Sequence, residues 1–247
     1  MLSKEIKVMY KQTILGFSWA IIRPVFSMII FSFIFGNLAQ IPSDGIPYSI
    51  FSYAALVPWT YFSSSLTKSA GSLIQSINVL TKIYFPRIYI PLAPVLAGLL
   101  DFLISLSVLF LMMIYFKINL SFNILFLPIL ILIAVVTSFG LGLWLSALAI
   151  QYRDIRHAVQ YLTQLMMYAA PVVWPFSMMS EKYGETFALY YSIYPMVGVI
   201  EGFRSCLLNT NAIPWESIVI GGFSGFLICM SGLLYFNSKE YAFSDVA

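Results

Sequence analysis

Six predominantly apolar stretches recur along the chain, at about 19–38, 47–66, 91–116, 124–150, 158–178 and 218–236. Each is close to the ~20 residues a helix needs to cross a hydrocarbon core. None alternates with a period of two, as barrel strands would. Helices follow, because backbone groups in lipid must find their partners within the segment. The pattern predicts an all-α polytopic membrane protein with six transmembrane helices and a single transmembrane domain over 1–247. Its parts are an interfacial helix at 1–18, spans one to five over 19–178, an external segment at 179–215, span six at 216–236 and a cytoplasmic tail at 237–247. The first apolar run outlasts a signal-peptide core and lacks a small-residue cleavage site, so it is read as a span.

The segments between the runs carry their own patterns. Lys4, Lys7 and Lys11 follow helical spacing in 2–17, with Ile6, Met9, Tyr10, Ile14 and Phe17 supplying apolar surface. This suits an amphipathic helix lying on the membrane interface; a plain positive flank that orients the first span is the alternative. Residues 67–90 are too polar to span. Within them, 69–80 can form a short amphipathic helix with Leu73, Ile74, Ile77 and Leu80 on one side. Such a helix can dock in a groove of a soluble partner or can tuck under the bundle. Residues 180–215 hold two short apolar pieces divided by Pro195, as expected of a re-entrant helix pair or of a covered outer vestibule.

Composition narrows the class. Apolar residues make up 60% and charged residues 9% of the 247. A soluble domain carries about 45–50% and about 25%. Mean hydropathy is +0.89. A soluble enzyme, a nucleic-acid binder and a disordered tail are excluded. The net charge of +3 is too small to argue for a polyanionic partner, but its placement orients the chain. With the N-terminus inside, Lys4, Lys7, Lys11, Arg23, Lys68, Lys82, Arg87, Arg153, Arg156 and Lys239 lie inside, and Lys117, Lys182 and Arg204 lie outside. That bias predicts N-in and C-in. Cys206 and Cys229 form no CxxC pair, and no structural disulfide is expected.

Catalytic chemistry is sparse. His157 is the one histidine, with no cysteine beside it to complete a metal site. No glycine is followed by lysine, so no phosphate-cradling P-loop exists. Energy for active transport must come from a partner or an ion gradient. Asp101 sits well inside the third run. It should face the bundle, paired with hydroxyls or with a cation such as Arg23, either as a proton or substrate site or as a helix–helix hydrogen bond.

Aromatic residues reach 17%. Trp19, Arg23, Phe26, Ile30 and Phe33 fall on one helical face of the first run. Tyr161, Gln164 and Tyr168 do so in the fifth, with Trp174 about a turn beyond. Such stripes suit either a passage where sugar rings slide over aromatic faces or core packing. Gly221 and Gly225 form a G-x-x-x-G spacing that permits close helix approach. Pro171 and Pro175 should kink or break the fifth span. Six spans make a thin bundle for a wide pore, which points to a homodimer with the passage between copies.

The motifs then become familiar. Tyr10-Lys11-Gln12-Thr13-Ile14-Leu15-Gly16-Phe17-Ser18-Trp19 followed by Arg23-Pro24 resembles the N-terminus of ABC-2 type permeases, in particular exporters of O-antigen, capsule and teichoic acid. Val57-Pro58-Trp59-Thr60-Tyr61-Phe62, Asn78-Val79-Leu80-Thr81-Lys82-Ile83-Tyr84-Phe85-Pro86-Arg87, Tyr152-Arg153-Asp154-Ile155-Arg156 and Tyr194-Pro195-Met196 match in the same order. The likeness runs from about Ser3 to Phe236.

The resemblance implies the membrane subunit of an ATP-driven exporter in a bacterial inner membrane. It implies a second copy of the chain, two copies of a separate ABC ATPase, and a lipid-linked glycan as substrate. It implies no cofactor on this chain, ATP and Mg being bound by the partner, and no nucleic acid. Ser72, Gln75, Asn78, Lys82 and Arg87, with Tyr152, Arg153, Asp154 and Arg156, become candidate ATPase contacts. Trp19, Phe26, Phe33, Tyr161, Gln164, Tyr168 and Trp174 become candidate channel lining. Lys11 and Arg23 become candidates for a lipid headgroup gate, a role their charge suits. The rivals are a small-lipid or drug exporter of the same superfamily and an ion-coupled transporter dependent on Asp101.

Overall fold

The computed structural model describes residues 18–76, 86–152, 154–210 and 212–240. The described residues are helical and contain no strand. In order they form α1 (Ser18–Phe31, extended by a π-helical stretch Ser32–Leu38), α2 (Tyr48–Gln75), α3 (Tyr89–Tyr115), a 3-10 turn (Phe122–Phe126), α4 (Leu127–Gln151), α5 (Ile155–Ala169), α6 (Phe176–Tyr183), α7 (Glu185–Tyr191), α8 (Pro195–Leu208) and α9 (Trp215–Lys239). Among the described residues, four stretches are long and apolar enough to cross a membrane: Ser18–Leu38, Tyr89–Tyr115, Phe122–Gln151 and Trp215–Lys239.

The second and fifth expected spans differ from that standard for opposite reasons. α2 is long but carries many hydroxyls, and it forms the centre of the bundle, with Ser52, Ser65, Ser69 and Ser72 buried beside Tyr53, Phe51 and Phe62. A helix sheathed in other helices need not be apolar all round. It also runs on to Gln75, so 69–75 is the end of α2 rather than part of a separate helix; residues 77–80 lie outside the described residues. α5 is short. Its helix stops at Ala169, ahead of Pro171 and Pro175, as prolines require.

Neighbour relations give the directions. Tyr53 Oη donates to Ser105 O, Tyr61 Oη to Val95 O and Ser69 Oγ to Pro91 O, so α2 and α3 are antiparallel. α4 and α9 are parallel. Their starts meet where the Phe126 and Trp215 rings lie 4.8 Å apart, and farther along Trp144 stacks on Tyr235 at 4.3 Å. Between those levels their backbones nearly touch. A Cβ at Gly140 would lie 2.5 Å from Cys229 Cα, and one at Gly232 would lie 2.4 Å from Gly140 O. The G-x-x-x-G glycines serve the same packing: a Cβ at Gly225 would meet Thr137 Oγ1 at 2.5 Å, and Gly221 faces Pro195.

Because α4 and α9 start at one end, residues 152–214 must travel back along the bundle. They do so beside α2. Arg156 lies near Gly71, and Tyr48 Oη donates to Val173 O at 2.6 Å. From Gly71 to Tyr48 is about 35 Å at 1.5 Å per residue, which α5 and the non-helical residues 170–175 cover together. The chain next turns into the bundle at 193–195, beside the early turns of α9. There Ser224 Oγ donates to Ile193 O at 2.7 Å and Ser192 Oγ to Ser217 Oγ at 2.8 Å. It returns along α8, which is buried over its whole length and ends at Asn209 in the left-handed conformation.

Candidate functional site

Three helices of this bundle, α1, α2 and α3, contain one charged residue each: Arg23, Lys68 and Asp101. All three line a single cavity of about 610 Å³, walled by α1, α2 and α3, with Met167 of α5 also in its lining. Lys68 Nζ lies 3.8 Å from Asp101 Oδ2, with the two side chains 37% and 31% exposed. Asp101 therefore pairs with Lys68 of α2, where the sequence offered Arg23 as an example of its cation. Sequence reasoning had assigned Lys68 to the loop because the apolar run ends at Leu66, although the helix continues past it. Arg23 lies 5.6 Å over the Trp19 ring. Trp59, Thr60, Ser64 and Thr67 add apolar wall and hydroxyls.

The aromatic stripes lie on the outside of the single chain. Trp19, Arg23, Phe26, Ile30 and Phe33 are exposed along α1. On α5, Tyr161 is 72% and Tyr168 51% exposed, with Gln164 exposed between them and Gln160 exposed just before Tyr161, while Val159 and Thr163 turn inward. Neither stripe packs the core of its own chain. Trp174 does not continue the α5 stripe. It follows the helix end, packs against the core and accepts a hydrogen bond from Arg204 on its carbonyl.

At the end of the bundle where α2 stops and α5 starts, several candidate partner contacts converge. Gln75, Tyr152, Asp154 and Arg156 are exposed there. Gly71 has Gln75 Nε2 and Arg156 Nε within 4.0 Å of its notional Cβ, so the two chain segments meet at that glycine. Ser72 does not join them: its side chain is buried and donates to Ser69 O within α2. Arg87 is half-buried, and its Nη1 donates to Glu240 O at the end of α9. Lys11, Asn78, Lys82 and Arg153 lie outside the described residues.

One polar centre escaped the sequence reading. Arg204, 0% exposed, donates to Glu201 Oε1 at 2.7 Å, to Val172 O at 2.9 Å, to Trp174 O at 3.3 Å and to Phe51 O at 3.4 Å. Its guanidinium lies 3.6 Å from the Phe51 ring centroid. Glu201 Oε1 also accepts the Phe176 N–H at 3.1 Å. The opposite charges at i and i+3 in an apolar segment were the available signal. They read as interruptions of an external piece rather than as the clamp that joins α8 to α2 and to 170–176.

The model of the ABC-2 type transporter family matches residues 1–208. The chain belongs to the ABC-2 type transporter family. The permease is 30% identical over 247 residues to an O-antigen export system permease protein of Klebsiella pneumoniae, covering 99% of this chain and 92% of the relative. It is 25% identical to the protein of the same description from Myxococcus xanthus, over 99% and 93% of the two chains. It is 24% identical to the polysialic acid transport protein of Escherichia coli, over 97% and 92%. The match to this family of polysaccharide-export permeases is what the motifs around Arg23, Trp59 and Tyr152 suggested.

Proposed function

We propose that this chain is the transmembrane subunit of an ATP-driven exporter that carries a lipid-linked polysaccharide of O-antigen, capsule or teichoic-acid type across a bacterial inner membrane. The observation that carries the reading is end-to-end similarity to an O-antigen export permease, at 30% identity. The permease works as a homodimer with two copies of a separate ATPase. ATP and Mg are bound by that partner and not by this chain.

It crosses the membrane six times, N-in and C-in. The parallel course of α4 and α9, and the return of 156–173 along the length of α2, support α5 with residues 170–175 as the fifth crossing. The turn at 193–195 beside Ser224 supports 179–215 as an external re-entrant segment. The exposed stripes of α1 and α5 face the second copy and line the passage, where aromatic faces offer sequence-tolerant contact to sugars. Gln75, Tyr152, Asp154 and Arg156 face the ATPase together with Asn78, Lys82 and Arg153. Lys11 and Arg23 attend the lipid headgroup at the entrance.

The test is a pull-down of tagged permease from mild detergent with ATPase activity assayed on the eluate. A co-purifying ATPase in one-to-one ratio is expected. Arg153→Ala and Asp154→Ala should lower ATP-coupled export while the permease stays folded. A permease that elutes alone with its dimer intact, or normal export by both variants, contradicts the reading.

A further inference from the structure

A helix leaves its last carbonyls without intrahelical partners, and a cation placed there satisfies them and complements the helix dipole. At the end of α9 such a cation comes from elsewhere in the chain. Arg87, in the turn that precedes α3, donates to Glu240 O. The next residue, Ile88, packs against a small apolar core formed by Leu73 of α2, Ile90 of α3, Leu143 and Ala147 of α4 and Phe236 of α9. Among the described residues this core is separate from the large one that fills the rest of the bundle. The end of the connection from α2 to α3 is thus fastened to α9 by a charged donor and by apolar contact.

α9 is in turn fixed along its length. Trp144 of α4 stacks on Tyr235 with the rings 7° from parallel, and its Nε1 donates to Ser231 Oγ at 3.1 Å. Together with the backbone approach of Gly140 and Gly232, these contacts make α4 and α9 one body. At the other end of α9, a Cβ at Gly198 would lie 2.4 Å from Ser217 O. Ser192 Oγ donates to Ser217 Oγ there, and Ser224 Oγ to Ile193 O. From Glu240 to Ser217 is about 35 Å at 1.5 Å per residue. Rigid elements and packed side chains of this kind carry a displacement from one site to another.

We propose that Arg87 is a positioning residue for transport. It fastens the connection between α2 and α3 to α9, so that a push on that connection moves α4 and α9 together and reaches residues 192–198 at their far end. The proposal rests on the exporter reading for the ATPase that delivers the push.

The experiment uses the full chain co-purified with its ATPase in nanodiscs. Cys206 and Cys229 are replaced by Ala, and Tyr190→Cys, at an exposed position of α7, serves as reporter. Its rate of reaction with a maleimide is measured with and without Mg-ATP, beside ATP turnover and the thermal midpoint. With Arg87 in place, ATP should change the rate. Arg87→Met should lose that change while the ATPase still co-purifies and hydrolyses ATP. Arg87→Lys should keep it, because an ammonium can also donate to Glu240 O. Loss of the ATPase from Arg87→Met would make Arg87 a partner contact and overturn the proposal. An unchanged ATP response in that variant would overturn it too, as would equal losses of response and midpoint in Arg87→Met and Arg87→Lys, the mark of a merely structural bond. A reporter that ignores ATP with Arg87 in place, on a complex that hydrolyses it, would overturn the proposal without any variant of Arg87. A wild-type chain that captures no ATPase would contradict the exporter reading as well.

Discussion

Replacing Arg204 with Met is the sharpest probe of the fold. The variant retains bulk and deletes the guanidinium. Glu201 then holds a buried carboxylate that still accepts the Phe176 N–H but has lost the guanidinium. The carbonyls of Val172 and Trp174 lose their donor, and they belong to a segment with no helix of its own to satisfy them. Breaking a buried ion pair by removing one partner costs about 3–5 kcal/mol. The orphaned carbonyls fall partly within that figure, since such terms do not add. A loss of about 4 kcal/mol corresponds to a drop of about 10 °C in midpoint for a chain of this size. The assay is size-exclusion chromatography of the detergent-solubilised protein after stepwise heating. Arg204→Met with Glu201→Gln should recover much of the loss, because no unpaired charge remains. A single variant within about 1 kcal/mol of wild type, or a double variant as poor as the sum of its parts, would refute the argument that Glu201 depends on Arg204.

Two further outcomes follow from packing and exposure. Gly232→Ala places a Cβ against the Gly140 carbonyl and should separate α4 from α9 at a cost of about 1–3 kcal/mol, while Gly222→Ala, which meets only the flexible Ile133 side chain, should be near neutral in the same heating assay. Single cysteines at Tyr161, Gln164 and Tyr168 should react with a thiol reagent and cross-link between copies in membranes, and cysteines at Val159 and Thr163 should not; equal reactivity at all five positions would exclude the α5 stripe as a passage surface.

How far the sequence reaches is seen best element by element. The runs that became α1, α3, α4 and α9 were legible because lipid selects length and hydropathy directly, residue by residue. The end of α5 was legible because Pro171 and Pro175 cannot continue a helix under any tertiary arrangement. Gly221 and Gly225 were legible as a close approach, but their partners Pro195 and Thr137 were not, since a glycine shows that something comes near and never what. The family was legible from motifs in order, which need no geometry.

The tertiary structure decided the rest. α2 looked like an apolar span followed by a polar loop, because the helix enters its bundle with a hydroxyl-rich surface that only neighbouring helices can satisfy. Lys68 moved from loop to cavity as a result. Asp101 was readable as a charge needing a partner, yet the choice of Lys68 over Arg23 depended on the antiparallel register of α2 and α3. Ser72 and Arg87 had the right residue types for a surface role, but rotation about α2 turned one inward and the end of α9 engaged the other. Glu201 and Arg204 lie in a segment whose hydropathy is interrupted by their own charges, so local pattern read them as interruptions rather than as a buried pair. Their burial follows from carbonyls contributed by Phe51, Val172 and Trp174, which are remote in sequence. Hydropathy is a property of each stretch of chain, whereas the pairing of a buried charge belongs to the fold as a whole.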